Sequence, residues 1–205
     1  RFRQFKRRNK EDGAMTKNVL LTGVGGQGTI LAAKMLTIGL MEHGFDVKMS
    51  EIHGMSQRGG DVISQVRYGE KVLSPIIEKG SADMIVAFEK MEALRAMPYL
   101  RPNGTVVVND YEIPSMTVST SLENYAKDVI DEIKKSAEKT FVVDATNLAR
   151  ELGNSKATNV ILLGTIIKIM SLEDIDWETI IRNNVKEKFV DLNLKALKIG
   201  MDSVL

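Results

Sequence analysis

The chain has 205 residues, a formal net charge of +1, 43% hydrophobic residues and 27% charged residues, a balance typical of one globular domain with an apolar core. Cysteine is absent, which excludes disulfides, thiolate catalysis and iron–sulfur clusters held by the chain's own cysteines, and two histidines are too few for a three-histidine metal site. No apolar run reaches the roughly 20 residues of a membrane helix, and no secretory signal is recognisable, so we expect a cytoplasmic protein without membrane contacts.

Residues 1–14 differ from the rest of the chain in charge. They carry a net charge of +4, so residues 15–205 sum to −3. A basic run of this kind could contact nucleic acid, but Met15 followed by a strand-like sequence resembles a natural start, and we predict no nucleic-acid partner. We expect residues 1–14 to be a disordered or artificially added tail. Residues 15–205 are expected to form a single domain, with a core at about 15–145 and a helical part at about 146–205.

Strand and helix patterns alternate along the first two thirds of this domain. Short apolar runs predict strands at 18–22, 45–50, 83–88, 105–109 and 140–143. Apolar residues at helical spacing predict helices at 29–43, 90–100 and 122–135, the second of them kinked or restarted at Pro98. Apolar and polar residues alternate over 62–68, which indicates a strand with one face exposed to water. Residues 101–104 indicate a turn. Residues 111–121 are irregular, with a short strand expected at 116–119.

The C-terminal third is helical, with predicted helices at 145–152, 157–170, 176–185 and 188–201. Strands joined by helices imply right-handed crossovers and a mainly parallel sheet. The sequence therefore predicts a Rossmann-like α/β fold, in which the sheet carries helices on both faces and a helical extension follows at the C-terminus.

A glycine cluster, Gly23-Val-Gly25-Gly26-Gln27-Gly28, lies between the first strand and the first helix. Its G-x-G-x-x-G spacing permits a tight turn and close approach of a ligand to the backbone, and the helix amino end attracts a phosphate or carboxylate. The glycines could equally serve only to pack the helix closely on the sheet. For a dinucleotide site, Glu51 is the only candidate for the acid that binds the ribose.

The second motif is the loop 51–60, which reads Glu-Ile-His-Gly-Met-Ser-Gln-Arg-Gly-Gly. The guanidinium of Arg58, beside two glycines, could form bidentate hydrogen bonds with a carboxylate or phosphate. Equally, the loop could dock on a partner subunit, with Arg58 in an interface ion pair. His53 and Ser56 make a poor hydrolytic pair, because neither a positioned acid nor an oxyanion-hole motif accompanies them.

Taken together, the two motifs identify a family. The glycine cluster 23–28, the loop 51–60 and the following Val62-Ile-Ser-Gln-Val-Arg67 resemble the gamma domain of pyruvate and other 2-oxoacid:ferredoxin oxidoreductases. The residue sequence of the loop is most similar to that of the beta subunit of the indolepyruvate branch. The resemblance covers about residues 16–205, and the order and spacing of both motifs make it specific.

This resemblance implies a complex that oxidatively decarboxylates an aryl 2-oxoacid to an acyl-CoA and reduces ferredoxin. It places thiamine diphosphate, magnesium and the iron–sulfur clusters in a large alpha subunit, with coenzyme A as co-substrate. The sequence agrees with this placement, because it lacks cysteine and lacks a Gly-Asp-Gly segment followed at a distance by Asn. The chain is then expected to be inactive alone, to complete the assembly and to shape one wall of the active site or of the CoA channel. Expressed alone, it is expected to be a homodimer.

The residues carried over from the family are expected to bind a cofactor or a partner and not to act as acid–base catalysts; they are Gly23, Gly25, Gly26, Gln27, Gly28, Ser56, Arg58, Gly59 and Gly60. Two alternatives stay open. A stand-alone Rossmann-type oxidoreductase with a nicotinamide or flavin cofactor requires a free pocket above Gly23–Gly28 and a ribose-binding acid. A nucleotide-sensing module would bind a ligand without redox chemistry. The absence of a catalytic constellation disfavours the first alternative, and the loop 51–60 disfavours the second.

Overall fold

Strands and helices alternate through the residues that the computed structural model describes, which are 16–54, 60–113 and 128–204. The strands are β1 Lys17–Val24, β2 Asp46–His53, β3 Asp61–Gly69, β4 Ala82–Ala87, β5 Leu100–Asn109 and β6 Lys139–Val143. The helices are α1 Thr29–Glu42, α2 Lys90–Ala96, α3 Val129–Ser136, α4 Ala145–Glu151, α5 Thr158–Ile169, α6 Trp177–Asn184 and α7 Val190–Asp202. Short 3-10 turns lie at Met97–Tyr99, Ser155–Ala157 and Glu187–Phe189.

The six strands form one sheet in the order β2-β3-β1-β4-β5-β6. The pairs β1–β4, β4–β5 and β5–β6 are parallel, whereas β3 pairs antiparallel with both β1 and β2. Five strands therefore share one direction, which confirms the mainly parallel Rossmann-like sheet. The hairpin β2–β3 places β3 beside β1, with Asp61 opposite Val24. As a result, the end of the hairpin lies next to the glycine cluster that follows β1.

The central strands are buried on both faces, which explains their continuous apolar runs. On β5, Val107 belongs to the large core beneath α1 and the C-terminal helices, while Val106 and Val108 belong to the opposite core beneath α2 and α3. Burying each such side chain contributes on the order of 1.5–3 kcal/mol. Within the described part of the chain, no helix has both the length and the apolar character that a membrane span requires.

Two details of the hairpin and of β5 differ from the predictions. The supposed wet face of β3 is largely covered, since Gln65 is only 2% exposed and its side-chain oxygen accepts the N–H of Ile77 at 2.5 Å. The predicted turn at 101–104 lies inside β5, which begins at Leu100 and pairs irregularly with β4. Asn103 adopts a φ of 59°, so the turn-forming residues produce an irregularity in the strand instead of ending it.

Helix boundaries follow the sequence signals where the structure describes them. Helix α2 ends at Ala96, and Pro98 lies in the 3-10 turn that follows, as the predicted kink requires. The predicted helix at 122–135 is seen as α3 from Val129. Its expected start at 122 and the expected short strand at 116–119 lie outside the described residues.

Helices α5 and α7 contact each other backbone to backbone at two glycines. A methyl group on Gly200 would lie 1.9 Å from the carbonyl oxygen of Ile161, and one on Gly164 would lie 2.3 Å from that of Leu197. Both distances are far shorter than any real contact of a methyl carbon, so only glycine permits this approach. The two glycines thereby fix the C-terminal helix against the core.

We expect Gly200→Ala to lower the free energy of unfolding by about 2–3 kcal/mol, because the new methyl group forces α7 away from α5. Urea unfolding followed by circular dichroism measures the change. Lys198→Ala, at an exposed position of the same helix, is the matched control and should change the free energy of unfolding by less than about 0.5 kcal/mol. An unfolding midpoint of Gly200→Ala equal to that of the parent would contradict the backbone contact.

Candidate functional site

The turn between β1 and α1 has the backbone geometry that its glycines predict. Gly26 and Gly28 have φ values of 98° and 84°, in the left-handed region that favours glycine. A methyl group on Gly23 would lie 2.9 Å from Cβ of Phe88, so this glycine lets the turn approach the end of β4. A methyl group on Gly26 would meet nothing within 4 Å, which leaves the backbone open to a ligand on that side.

The hairpin β2–β3 joins this turn through one backbone hydrogen bond, in which the N–H of Gly25 donates to the carbonyl of Gly60 at 2.9 Å. The structure thus brings together Gly60 and all five predicted residues of the glycine cluster. Ser56, Arg58 and Gly59 lie outside the described residues, and their roles stay predictions.

Gln27 and Asn109 hold the carboxyl edge of the sheet together. Gln27 accepts the N–H of Val24 at 2.7 Å and donates to the carbonyl of Phe88 at 2.9 Å. Asn109 donates to the same carbonyl at 3.0 Å and to the hydroxyl of Thr146 at 2.8 Å. This chain of contacts, termed here the amide bridge (Gln27, Phe88, Asn109 and Thr146), links the ends of β1, β4 and β5 to α4. The predicted binding residue Gln27 thus has a structural contact at each end of its amide.

A cavity of about 780 Å³ opens beside the glycine turn, within the size range of small-molecule sites. One side is the glycine wall, formed by Gly26–Gly28 and Leu31. A second part of the lining is the basic wall, formed by Arg150 on α4 and by residues 154–159, of which Asn159 lies against Gly28. Val185, Phe189 and Leu192 add apolar side chains to the lining. The cavity therefore combines polar and apolar surfaces.

The surroundings of the cavity favour an anion. The amino end of α1 borders it on the glycine wall, and the amino end of the continuous helical stretch 155–169 borders it on the basic wall. Helix amino ends carry N–H groups without intrahelical partners and a partial positive charge. Arg150 and Lys156 add full charges, and among the described residues that line the cavity there is no acid.

Asn159 supplies a further sign of a ligand. It is only 6% exposed and its side chain lies against Gly28, where a methyl group would come within 2.7 Å of its amide nitrogen. It also lines the cavity, and within the described residues its side-chain amide has no hydrogen-bond partner. Because Asn159 lies on the cavity lining, the donors and acceptor of its amide are available to a bound molecule.

Tyr111 on the cavity lining is held in place by Lys90 of α2. The Lys90 ammonium lies 3.0 Å from Asp110 and 2.6 Å from Glu112, and its backbone N–H donates to the carbonyl of Tyr111 at 3.1 Å. Burial disfavours the charge on Lys90, but the two carboxylates outweigh that effect and raise its pKa. The guanidinium of Arg150 lies 5.9 Å from the centre of the Tyr111 ring, within reach of a cation–π contact.

Sequence reasoning missed Arg150, Lys156, Asn159 and Asn109, because no short motif joins them to the glycine cluster. Each is more than 80 positions away along the chain, and only the fold brings them to one edge of the sheet. A polar run, Asn154 to Thr158, ahead of an apolar helix was the available signal, since it marks a helix amino end.

Glu51 does not complete a dinucleotide site. In a Rossmann-type site the second strand lies beside the first, but here β3 separates β1 from β2. Two strand spacings put β2 about 10 Å from β1. Glu51 instead lies 4.0 Å from Lys34 of α1 and does not line the cavity. The alternative of a stand-alone dinucleotide-dependent oxidoreductase thus loses its ribose-binding acid.

The described residues offer no cluster of side chains for a metal ion. The described residues contain no group of three His, Cys, Asp or Glu side chains that could hold a metal ion, and the whole chain lacks cysteine. A cysteine-ligated iron–sulfur cluster therefore has no ligands in this chain.

Fold and site together define a Rossmann-like α/β domain with a basic cavity at its glycine turn. The family model for pyruvate ferredoxin/flavodoxin oxidoreductase matches residues 18–203. The chain belongs to this family, and it is of the small-subunit type found in 2-oxoacid:ferredoxin oxidoreductases. The predicted family is thereby confirmed.

Relatives of known name support this assignment. The chain is 40% identical to the indolepyruvate oxidoreductase subunit IorB of Thermococcus kodakarensis, over 90% of this chain and 94% of the relative. It is 27% identical to the common gamma subunit of the pyruvate/ketoisovalerate oxidoreductases of Pyrococcus abyssi, over 86% of this chain and 90% of the relative. Both relatives are subunits, so larger partner subunits are implied.

Solved structures confirm the fold. The gamma subunit of a keto/oxoacid ferredoxin oxidoreductase from Geobacter sulfurreducens superposes with a TM-score of 0.68 at 20% identity, covering 92% of this chain and 98% of that one. The 2-oxoglutarate:ferredoxin oxidoreductase of Magnetococcus marinus, with 2-oxoglutarate, coenzyme A and succinyl-CoA bound, superposes with a TM-score of 0.74 at 16% identity. Our chain matches 31% of that longer chain, so the same fold occurs there as one part of a larger polypeptide.

Glu92 is a buried carboxyl near the same edge of the sheet. It is 4% exposed, and burial raises its pKa. The Arg95 guanidinium, in contact with it, lowers the pKa, while the nearby carboxylates of Glu89 and Asp61 raise it further. The net shift is upward, so the folded protein disfavours the charged form of Glu92.

We expect Glu92→Gln to be more stable than the parent at pH 7 and equally stable near pH 4. A raised carboxyl pKa leaves the parent fully stable below the ordinary value and costs stability as the pH rises through the folded value. Gln removes this cost, and the ion pair with the largely exposed Arg95 contributes little. Thermal unfolding between pH 4 and pH 8 measures the difference, and Glu178→Gln, at an exposed position of α6, is the control. A stability difference between Glu92→Gln and the parent that stays constant with pH would contradict the raised pKa of Glu92.

Proposed function

We propose that this chain is the small subunit of an indolepyruvate-type 2-oxoacid:ferredoxin oxidoreductase and that it is inactive alone. The complete enzyme would oxidatively decarboxylate an aryl 2-oxoacid to the acyl-CoA and pass the electrons to ferredoxin. The observation that carries the indolepyruvate assignment is the identity of 40% with an IorB subunit, against 27% with a gamma subunit of the pyruvate/ketoisovalerate type.

The proposed partner is a large alpha subunit that holds thiamine diphosphate, magnesium and the iron–sulfur clusters. Two observations support this division of labour. The chain contains no cysteine, and its described residues offer no group of metal ligands. Thiamine diphosphate would supply the decarboxylation chemistry in the partner, while residues of this chain bind and orient. In the absence of that partner we propose a homodimer.

The cavity at the glycine turn is proposed to hold the phosphorylated part of coenzyme A. The two helix amino ends, Arg150, Lys156 and the unpartnered amide of Asn159 suit phosphate groups. The apolar lining at Phe189 and Leu192 suits the less polar arm that carries the thiol. A protein of the same fold, from Magnetococcus marinus, has coenzyme A bound. Holding the phosphates here would leave the thiol free to reach the acyl group formed in the partner.

The hairpin loop is proposed to complete this region of the assembly. Gly60 is bonded to Gly25, so the loop begins and ends beside the glycine turn. Ser56, Arg58 and Gly59 are therefore proposed to contact either the ligand or the partner at this edge. Gly23 lets the turn lie close to the end of β4, and Gly26 leaves the backbone open on its side of the turn.

Reconstitution tests the subunit assignment. The chain is mixed with the thiamine- and cluster-bearing large subunit from the same source, and CoA-dependent reduction of a viologen dye is followed with indolepyruvate as substrate. We expect activity in the mixture and none with either chain alone. A well-folded chain that neither binds the large subunit nor restores activity would overturn the proposal.

In the reconstituted enzyme, we expect Lys156→Ala to raise the KM for coenzyme A about 5- to 10-fold, the effect of losing roughly 1–1.4 kcal/mol of phosphate binding. The kcat at saturating coenzyme A should stay unchanged, because Lys156 touches no reacting atom. Lys195→Ala, which removes an exposed lysine of α7 outside the cavity lining, is the matched control. Equal KM values for both variants would exclude Lys156 from the binding of coenzyme A.

A further inference from the structure

We infer that Lys90 is a positioning residue that binds the carboxylates of Asp110 and Glu112 and thereby leaves the guanidinium of Arg150 available to an anion in the cavity. The inference rests on the proposed function, since that anion is the phosphorylated part of coenzyme A. It goes further by assigning a role in ligand binding to a lysine that lies outside the cavity lining.

The guanidinium of Arg150 lies on the cavity lining and has no carboxylate partner among the described residues. It donates to the side-chain oxygen of Asn147 at 2.9 Å, and this acceptor is neutral. Its Cζ lies 5.9 Å from the centre of the Tyr111 ring, which is also neutral. The positive charge of Arg150 is therefore not offset by an ion pair and remains available to a phosphate group.

Two acids flank the ring on which Arg150 lies. Asp110 and Glu112 are the direct neighbours of Tyr111 in the chain, so their Cα atoms lie about 3.8 Å from that of Tyr111. Both side chains are about half exposed. If they were unpaired, these carboxylates would attract the guanidinium, because arginine binds carboxylate and phosphate groups with the same bidentate geometry.

Lys90 binds both of these acids. Its ammonium lies 3.0 Å from the carboxylate of Asp110 and 2.6 Å from that of Glu112, and its side chain is only 15% exposed. Because the ammonium is mostly buried, water and salt screen these two ion pairs less than fully exposed ones. One ammonium and two carboxylates carry a formal charge of −1, and loss of the ammonium would change this to −2 beside the cavity.

The backbone of Lys90 supports Tyr111 independently of the ammonium. The N–H of Lys90 donates to the carbonyl of Tyr111 at 3.1 Å, and the N–H of Tyr111 donates to the carbonyl of Asn109 at 2.7 Å. Both hydrogen bonds join main-chain atoms, so they survive a change of the Lys90 side chain. A substitution at this position therefore releases the two acids and retains the support of Tyr111.

Isothermal titration calorimetry of the full chain with coenzyme A at low ionic strength tests the inference. We expect Lys90→Met to raise the Kd about 5- to 10-fold, because the released acids pair with Arg150. Lys135→Met is the matched control. It makes the same change in net charge and also removes a lysine from an ion pair, with Glu132 at 2.7 Å, but it lies outside the cavity lining. Its Kd should stay within about twofold of the parent value.

Two combined variants separate release of the acids from a loss of structure. When Lys90→Met is joined with Asp110→Asn and Glu112→Gln, the Kd should return to the parent value or fall below it. In an Arg150→Ala background, Lys90→Met should change the Kd by less than about twofold, because the guanidinium that the acids would bind is gone. A triple variant that stays weak, or an undiminished effect of Lys90→Met without Arg150, would overturn the inference.

Lys90→Gln takes the place of Lys90→Met in each comparison if the latter does not fold. A parent chain that is folded and binds no coenzyme A overturns the inference together with the proposed cavity. A parent that binds coenzyme A, with equal Kd values for Lys90→Met and Lys135→Met, overturns the inference alone. The subunit assignment depends on reconstituted activity and is unaffected by either result.

Discussion

The carbonyl of Phe88 at the end of β4 is the point on which the site depends. It accepts hydrogen bonds from Gln27 and Asn109, so the turn after β1 and the end of β5 are both fixed to the strand between them. Buried amides of this kind are stabilising only when each polar atom has a partner, which makes their geometry strict. Parallel strands supply the edge at which ligands bind in folds of this kind, and the amide bridge joins the ends of β1, β4 and β5 to α4 along this edge.

The hairpin β2–β3 is what separates this domain from a dinucleotide-binding one. By entering the sheet beside β1, β3 displaces β2 and removes its acid from the neighbourhood of the turn. In exchange, Gly60 comes beside the glycine turn, where its carbonyl accepts the N–H of Gly25. One antiparallel strand thus separates the acid of β2 from the glycine turn.

Local sequence signals were sufficient to predict most of the fold and, within the site, the glycine turn. The glycine turn, the restart at Pro98 and the parallel strands follow from short-range rules, because turn geometry and apolar periodicity act within a few residues. The strand status of 101–104 and the covered face of β3 did not follow, since a neighbouring strand and the loop after β3 decide them. Likewise, Asn109, Arg150 and Asn159 carry no motif, and only tertiary packing brings them to the glycine turn.

The glycine contact between α5 and α7 also governs which parts of the cavity can move. Asn159 lies in the first turn of α5, and the apolar lining at Phe189 and Leu192 lies at the start of α7. Gly164 and Gly200 bring the backbones of these two helices into direct contact. A displacement of α7 at this contact would therefore be transmitted to α5, which couples the cavity lining at Phe189 and Leu192 to that at Asn159.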